Sequence, residues 1–296
     1  MGALPEKSVG AIRYVVFDTE TTGLPDKRKV GKKPADWRES DPQDWPELLQ
    51  LTAEVYEVID GEHTKIGETL NWWVNTDTPI PKETSDIHGI TNDFLNGTAP
   101  HLKSGEYIDG SKNAPDSPVP ARYFPEVARE ILDVLNDKSI DFVIAHNMPY
   151  DEWVLRKNLQ RHGFDQDDLD FERDGYEMVF DTTVHTAYLC KMLWLNSPAD
   201  KPDYKRPSLE QLYGILFPGE EIGDAHDARE DVKATVRVVK ELYRRNIFSP
   251  DFIRRYIGKP DMDLEVLWDE VAEKWKSGET NWGSKWKVTQ EGMPNL

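Results

Sequence analysis

The stretch IRYVVFDTETTGL, residues 12–24, decides which fold we expect for this chain. Its β-branched and aromatic first half, residues 12–17, predicts a short buried strand. Asp18 and Glu20 follow it, and residues two apart on a strand point to the same face. Two carboxylates on one face repel each other unless a cation lies between them. The same spacing recurs elsewhere in the chain, so the buried strand and the Thr-Thr-Gly turn distinguish this pair.

Further strands and helices are predicted on the C-terminal side of this stretch. Apolar periodicity places strands at residues 49–59, 67–74, 141–145 and 178–182, with a hairpin turn near residues 60–62. Helical spacing places helices at 121–135, 151–161, 183–194, 208–216 and 228–245. Strands come first, and later strands alternate with helices. This order predicts an α/β domain in which helices flank a mixed sheet.

The length of 296 residues allows one large domain and an appendage. We expect the domain at residues 1–245, with surface insertions near 25–46, 101–120, 163–177 and 196–206. These segments are rich in Pro, Asp, Lys or Gly and lack a clear apolar period. Residues 246–296 are predicted to form a separate extension, partly helical and rich in Trp and Lys.

The composition limits the function classes. There are 36 Lys and Arg residues against 55 Asp and Glu residues, a formal net charge of −19. A protein that coats nucleic acid normally neutralises many phosphates with basic side chains, so a broad basic face is not expected. One cysteine excludes an internal disulfide. Short apolar runs and an N-terminus without signal-peptide character predict a cytoplasmic protein without a membrane partner.

Two more segments place acids at the ends of predicted elements. In FVIAHNMPYDEWVL, residues 142–155, Asn147 lies in a turn and Asp151 opens a helix. By itself, Asp151 would be read as a residue that only caps or charges that helix. In DAHDAREDVKATV, residues 224–236, Asp227 and Glu230 have the spacing of a capping box. Asp231 instead lies at the start of the inward face, and His226 precedes the cap.

The combination of these residues is more specific than any one of them. Four acids at element ends of an α/β domain, with a histidine five residues before the last acid, form the composition of a two-metal phosphodiester site. Ligands that are all oxygen favour Mg²⁺, with Mn²⁺ able to replace it. No pair of Cys or His residues with zinc-site spacing competes. The four acids are Asp18, Glu20, Asp151 and Asp231, and the histidine is His226.

In this order the motifs resemble the DEDDh family of 3′→5′ exonucleases, which includes the epsilon proofreading subunit of bacterial DNA polymerase III. The first motif is DTETTG at residues 18–23, and the second is HNMPYD at 146–151, with Tyr150 where Phe is commoner. The third runs from His226 to Asp231. The segment PIPKETSDIHGITNDFL, residues 79–95, resembles the family's substrate-contacting segment. Together the matches extend over about residues 12–245.

The resemblance implies a ribonuclease H-like fold, a mixed five-stranded sheet flanked by helices. It implies that Asp18, Glu20 and Asp231 hold one metal ion, and that Asp18 bridges to a second ion which Asp151 assists. His226 would be the general base. The residues that would contact the terminal nucleotide are Thr21, Thr22, Leu24, Glu83, His88 and Asn147.

We therefore expect an enzyme that hydrolyses DNA from its 3′ end, in proofreading with a DNA polymerase partner or alone. An exoribonuclease uses the same chemistry, and no residue here reports clearly on the 2′-hydroxyl that separates the two. An idle polymerase-accessory module that binds 3′ ends is a second alternative, which the intact acids and histidine disfavour. A structural protein with solvated acids is the weakest alternative.

Overall fold

The computed structural model describes residues 4–31, 34–99, 121–173, 176–184, 186, 206–223, 226–245 and 248. Eight strands lie in this part of the chain: β1 (Ile12–Thr21), β2 (Leu48–Ile59), β3 (Glu62–Asn75), β4 (Arg122–Tyr123), β5 (Phe142–Ala145), β6 (Glu172–Arg173), β7 (Tyr176–Glu177) and β8 (Val179–Asp181). Six of them form one sheet in the order β4-β3-β2-β1-β5-β8, and β6 and β7 form a separate hairpin.

The large sheet is mixed. The neighbours β1–β2 and β2–β3 are antiparallel, whereas β1–β5, β5–β8 and β3–β4 are parallel. The α/β fold class is confirmed, but the sheet has six strands instead of the expected five. The additional strand β4 contains two exposed residues, which are too few to show an alternating pattern in the sequence.

The described helices lie on both faces of the sheet or in its connections. Their bounds are α1 (Lys27–Val30), α2 (Pro34–Trp37), α3 (Lys82–His88), α4 (Asn92–Leu95), α5 (Phe124–Leu135), α6 (Met148–Arg161), α7 (Leu209–Leu216) and α8 (Ala228–Arg244). Short 3-10 turns occur at Pro42–Asp44 and Gln166–Asp168, and residues 182–184 are helical. No described helix has both the length and the apolarity that crossing a bilayer requires.

Helix α5 begins three residues later than the pattern predicted. Tyr123 is its N-cap, and the carboxylate of Glu126 accepts a hydrogen bond from the backbone N–H of Tyr123 at 2.7 Å. Pro125 in the first turn has no N–H to leave unsatisfied, so it favours a helix start at this point. The preceding residues are thereby available to pair with β3.

Strand β1 separates two apolar cores by the alternation of its side chains. Val15 and Phe17 pack with α5 and α6 in one core. Tyr14 and Val16 pack with α7 and α8 in the other. Because strand side chains alternate, the odd-numbered residues of β1 face α6 and the even-numbered residues face α8.

The segment near 25–46 is not confined to the surface. Trp45 is 3% exposed and packs with Trp153 of α6. The buried ammonium of Lys157 donates to the carbonyl oxygens of Arg38 and Ser40 at 2.9 and 2.8 Å. Helix α6 therefore holds this segment through backbone carbonyl oxygens. These contacts do not depend on which side chains the segment carries.

Several predictions concern residues outside the described part of the chain. These are the insertion at 101–120, the insertion at 196–206 except for residue 206, the predicted helix at 183–194 beyond residue 186, and the extension at 246–296 except for residue 248.

Candidate active site

The C-terminal half of β1 supplies two acids to one cluster. Asp18 and Glu20 are even-numbered and lie on the face covered by α8, whose first turn contains Asp231. One carboxylate oxygen from each of these three residues lies within 4.8 Å of the other two. All three side chains are partly buried. The register between β1 and β2 shifts beside the cluster, where Glu20 pairs with Gln50 and Thr21 with Leu48, so the extra residue is Leu49 of β2.

The electrostatics of this carboxylate cluster favour a bound cation. Burial raises the pKa of Asp18 well above its usual value, and the charges of Asp151, Asp231 and Glu20 raise it further. A cation between the carboxylates would reverse this penalty, because it stabilises their ionised forms. The donor set is all oxygen, so it fits a hard divalent ion such as Mg²⁺.

Asp151 lies beside the cluster, in the first turn of α6, and is 3% exposed. Its Oδ1 atom accepts hydrogen bonds from Thr19, from Oγ1 at 2.6 Å and from the backbone N–H at 3.2 Å. Burial raises the pKa of Asp151 to about 7, although the bonds from Thr19 oppose the rise. Among the described residues, the carboxylate cluster consists of Asp18, Glu20 and Asp231 and does not include Asp151.

His226 is exposed on the loop before α8 and has a left-handed backbone, with φ at 67°. Its backbone N–H donates to Oδ2 of Asp231 at 3.1 Å. Asp227 is the N-cap of α8, as predicted, and accepts from the backbone N–H of Arg229. The predicted partner in the capping box, Glu230, instead pairs with Lys233 at 2.6 Å. The main chain of this loop is therefore attached to Asp231 next to the carboxylate cluster.

Thr21 ends β1, and the loop of residues 22–24 that follows it is anchored on several sides. Thr22 exchanges two bonds with Glu47: its N–H donates to the carbonyl oxygen at 2.9 Å, and its hydroxyl accepts from the N–H at 2.9 Å. Leu24 projects from the end of the loop and is 78% exposed. Glu83 of α3 and Asn147 before α6 are also exposed. These three exposed side chains are available to a ligand.

His88 has a different environment from the sugar contact that the resemblance implies. It is 2% exposed, and its Nδ1 atom accepts from the N–H of Ile90 at 3.0 Å. The neutral ring then carries its proton on Nε2, which lies 3.1 Å from the carbonyl oxygen of Thr21. His88 therefore supports the loop from inside the protein. The resemblance implies that His88 lies near residues 21–24, but it does not predict that the side chain is buried.

Three residues at the site were not assigned a role from the sequence. Tyr150 contacts the loop at Thr21 and Gly23. Asp181, at the end of β8, accepts from the N–H of Asn147 at 3.1 Å and raises the pKa of Asp151. The signal for Asp181 was available, because parallel strands bring their C-terminal ends to one edge, and β8 lies next to β5. Asp227 was interpreted only as a cap, yet its charge also raises the pKa of Asp18.

The fold and the carboxylate cluster together define a class: an α/β protein with a ribonuclease H-like sheet and an acidic site at the end of its first strand. No family model matches the chain. The structure of exonuclease I superposes with a TM-score of 0.52 and 19% identity, covering 83% of this chain and 44% of that one. This likeness supports the fold.

The chain has sequence relatives that are named after a subunit of a DNA polymerase. The DNA polymerase III subunit epsilon-like protein of Rhodobacter capsulatus is 28% identical over 158 residues, which are 53% of this chain and 16% of that protein. The DNA polymerase III subunit epsilon of Rickettsia prowazekii is 25% identical over 153 residues, 51% of this chain and 46% of that protein. The matches thus span less than half the length of these relatives. The predicted resemblance to a DEDDh 3′→5′ exonuclease of the epsilon type is confirmed.

Proposed function

We propose that this protein is a metal-dependent 3′→5′ exonuclease that removes nucleotides from the 3′ end of DNA. The observation that carries the proposal is the carboxylate cluster of Asp18, Glu20 and Asp231, together with His226, which is attached to Asp231 through its backbone. Acids on one strand and one helix, with an exposed imidazole beside them, suit phosphodiester hydrolysis.

The proposed cofactor is a pair of Mg²⁺ ions, for which Mn²⁺ can substitute. Asp18, Glu20 and Asp231 would hold one ion, and Asp18 with Asp151 would serve the second. When bound, such ions lower the pKa of a water molecule and stabilise the charge that develops on the phosphate and leaving oxygens. The raised pKa of Asp18 in the metal-free protein supports this assignment, because the site is unfavourable for unbalanced negative charge.

The side chains around the cluster would position the substrate and move the proton. His226 is exposed, and a neutral imidazole suits a general base near neutral pH, so it would accept the proton of the attacking water. The exposed side chains of Leu24, Glu83 and Asn147 would contact the terminal nucleotide. Thr21, Thr22 and His88 would hold the loop that carries Leu24.

DNA as the substrate and a polymerase as a partner are supported by the relatives, which are named as a subunit of a DNA polymerase. The net charge of −19 is compatible with binding a short 3′ end, since few phosphates are then contacted. We assign the activity to residues 1–245, because every element that builds the described site lies within them.

The direct test uses 5′-labelled DNA and RNA oligonucleotides of the same sequence with Mg²⁺, with EDTA and the Asp18→Asn variant as controls. A ladder of products one nucleotide apart, formed faster from DNA and absent in both controls, is expected. Faster shortening of RNA would reassign the substrate. Cleavage of neither polymer, in Mg²⁺ or Mn²⁺, would overturn the proposed activity.

A further inference from the structure

Two consecutive residues at the start of α6 fasten the end of β1. Asp151 accepts from Thr19 at 2.6 Å, and the hydroxyl of Tyr150 lies 2.7 Å from Oγ1 of Thr21. Thr19 and Thr21 are odd-numbered and face α6, whereas the carboxylates of β1 face α8. Helix α6 therefore holds β1 from the face opposite to the side chains of Asp18 and Glu20.

Tyr150 also reaches past Thr21 to the next turn of the chain. Its hydroxyl lies 2.9 Å from the carbonyl oxygen of Gly23, and Oγ1 of Thr21 lies 2.7 Å from the same oxygen. Three oxygen atoms thus form a triangle in which two hydroxyl protons are shared among three contacts. A phenol keeps its proton at neutral pH, so the hydroxyl of Tyr150 can donate.

The carbonyl that accepts these bonds belongs to a residue with an unusual backbone. Gly23 has φ at 149°, a backbone conformation that residues with a side chain rarely adopt. A Cβ atom at this position would meet only Oγ1 of Thr84, at an ordinary contact distance of 3.8 Å. The backbone conformation, not the available space, requires glycine here. Leu24 follows immediately, so the direction of its exposed side chain depends on how the Gly23 carbonyl is held.

We propose that Tyr150 is a positioning residue whose hydroxyl sets the orientation of residues 21–24 and thereby the subsite for the terminal nucleotide. This inference rests on the proposed function. The phenol does not touch the carboxylate cluster through its hydroxyl, so its removal affects substrate placement and leaves metal binding intact. Phenylalanine would fill the same space without the oxygen, which makes Tyr150→Phe a clean test.

The test measures KM and kcat of Tyr150→Phe on a DNA oligonucleotide, together with Mn²⁺ affinity by calorimetry. Loss of the hydroxyl contacts should raise KM roughly three- to ten-fold. We expect kcat to change by less than about two-fold and Mn²⁺ affinity to stay the same. Tyr14→Phe is the matched control, because Tyr14 is a buried tyrosine of β1 whose hydroxyl bonds to His63 at 2.8 Å, away from the site. That variant should retain the wild-type KM.

A double-mutant cycle with Thr21→Val tests whether the two hydroxyls act as one unit. If they do, the rise in KM for the double variant should be smaller than the product of the two single effects. An unchanged KM in Tyr150→Phe, or a loss of Mn²⁺ affinity, would overturn the proposal.

The two proposals can fail separately. An inactive wild-type protein would overturn the proposed function. In that case amide exchange at Gly23 and Leu24 still tests the positioning role, because Tyr150→Phe should exchange faster there and Tyr14→Phe should not. Equal exchange in both variants would overturn the role of Tyr150 as well.

Discussion

The backbone N–H of His226 donates to Oδ2 of Asp231 at 3.1 Å, so the loop that carries the imidazole is attached to an acid of the carboxylate cluster. The contact uses the main chain of His226, so it does not depend on the imidazole. A shift of α8 would therefore move the acid and the histidine together. This coupling separates the chemical role of the imidazole from the placement of its loop.

That separation makes a sharp prediction for His226. Replacing it with Asn or Gly removes the imidazole but retains the donated N–H and tolerates the φ of 67°. We expect turnover to fall by about 10²- to 10⁴-fold, with Mn²⁺ affinity within about two-fold of the wild type. Single-turnover kinetics and calorimetry measure the two quantities. A large loss of Mn²⁺ affinity would show that His226 is a metal ligand rather than a base.

Asp18→Asn should inactivate the protein and yet stabilise its metal-free form. Burial and neighbouring carboxylates raise the pKa of Asp18, so the ionised side chain destabilises the folded state at neutral pH. A neutral side chain of the same shape removes this penalty, and we expect a gain of about 1 kcal/mol in the free energy of unfolding in EDTA. Thermal unfolding with EDTA and with Mg²⁺ measures the effect. The matched variant Asp60→Asn, on an exposed turn, should show neither change.

In the metal-free protein Asp151 should contribute more stability at pH 6.5 than at pH 8. The partly buried His63 and His146, whose pKa values are lowered to about 4, have the opposite effect. The contribution of Asp151 is therefore the difference between the wild type and Asp151→Asn. The folded-state pKa of Asp151, about 7, lies above its unfolded value, so the folded state binds the proton more tightly in this range. The gain from this one group is about 0.8 kcal/mol. Urea unfolding at the two pH values measures it. Asp151→Asn should abolish the gain, and saturating Mg²⁺ should reverse its direction, since the ion binds the ionised carboxylates.

Lys157→Met should destabilise the fold by about 3 kcal/mol, because it leaves buried carbonyl oxygens without a donor. Its ammonium donates to Arg38, Ser40 and the side chain of Gln160, and Lys157 is 0% exposed. Lys138→Met removes an exposed lysine and should change stability by less than about 0.5 kcal/mol. Urea unfolding compares the two. Equal stability of both variants would mean that the segment near 25–46 contributes little to the fold.

Much of the site could be predicted because its signals are local. The alternation of β1 indicated which face Asp18 and Glu20 share, and the apolar face of α8 identified Asp231 as the inward-pointing acid. Both patterns depend on the geometry of a single element, so they are visible in a short stretch of sequence.

The contacts that hold the site together could not be predicted in this way. The bond between Thr21 and Tyr150 joins residues 129 positions apart, and its existence depends on how α6 packs on the sheet. The burial of His88 likewise depends on the placement of α3 against residues 21–24. Strand β4 was missed for another reason: it pairs through only two residues, and its stability comes from the neighbouring strand.

The alternation along β1 also has a consequence for how this segment can vary. In residues 18–21, acids that belong to the carboxylate cluster alternate with threonines that contact α6. A substitution among them removes one contact at a time. A deletion of one residue would instead turn the acids toward α6 and the threonines toward α8, losing both sets together. This tetrapeptide must therefore keep its length as well as its two acids.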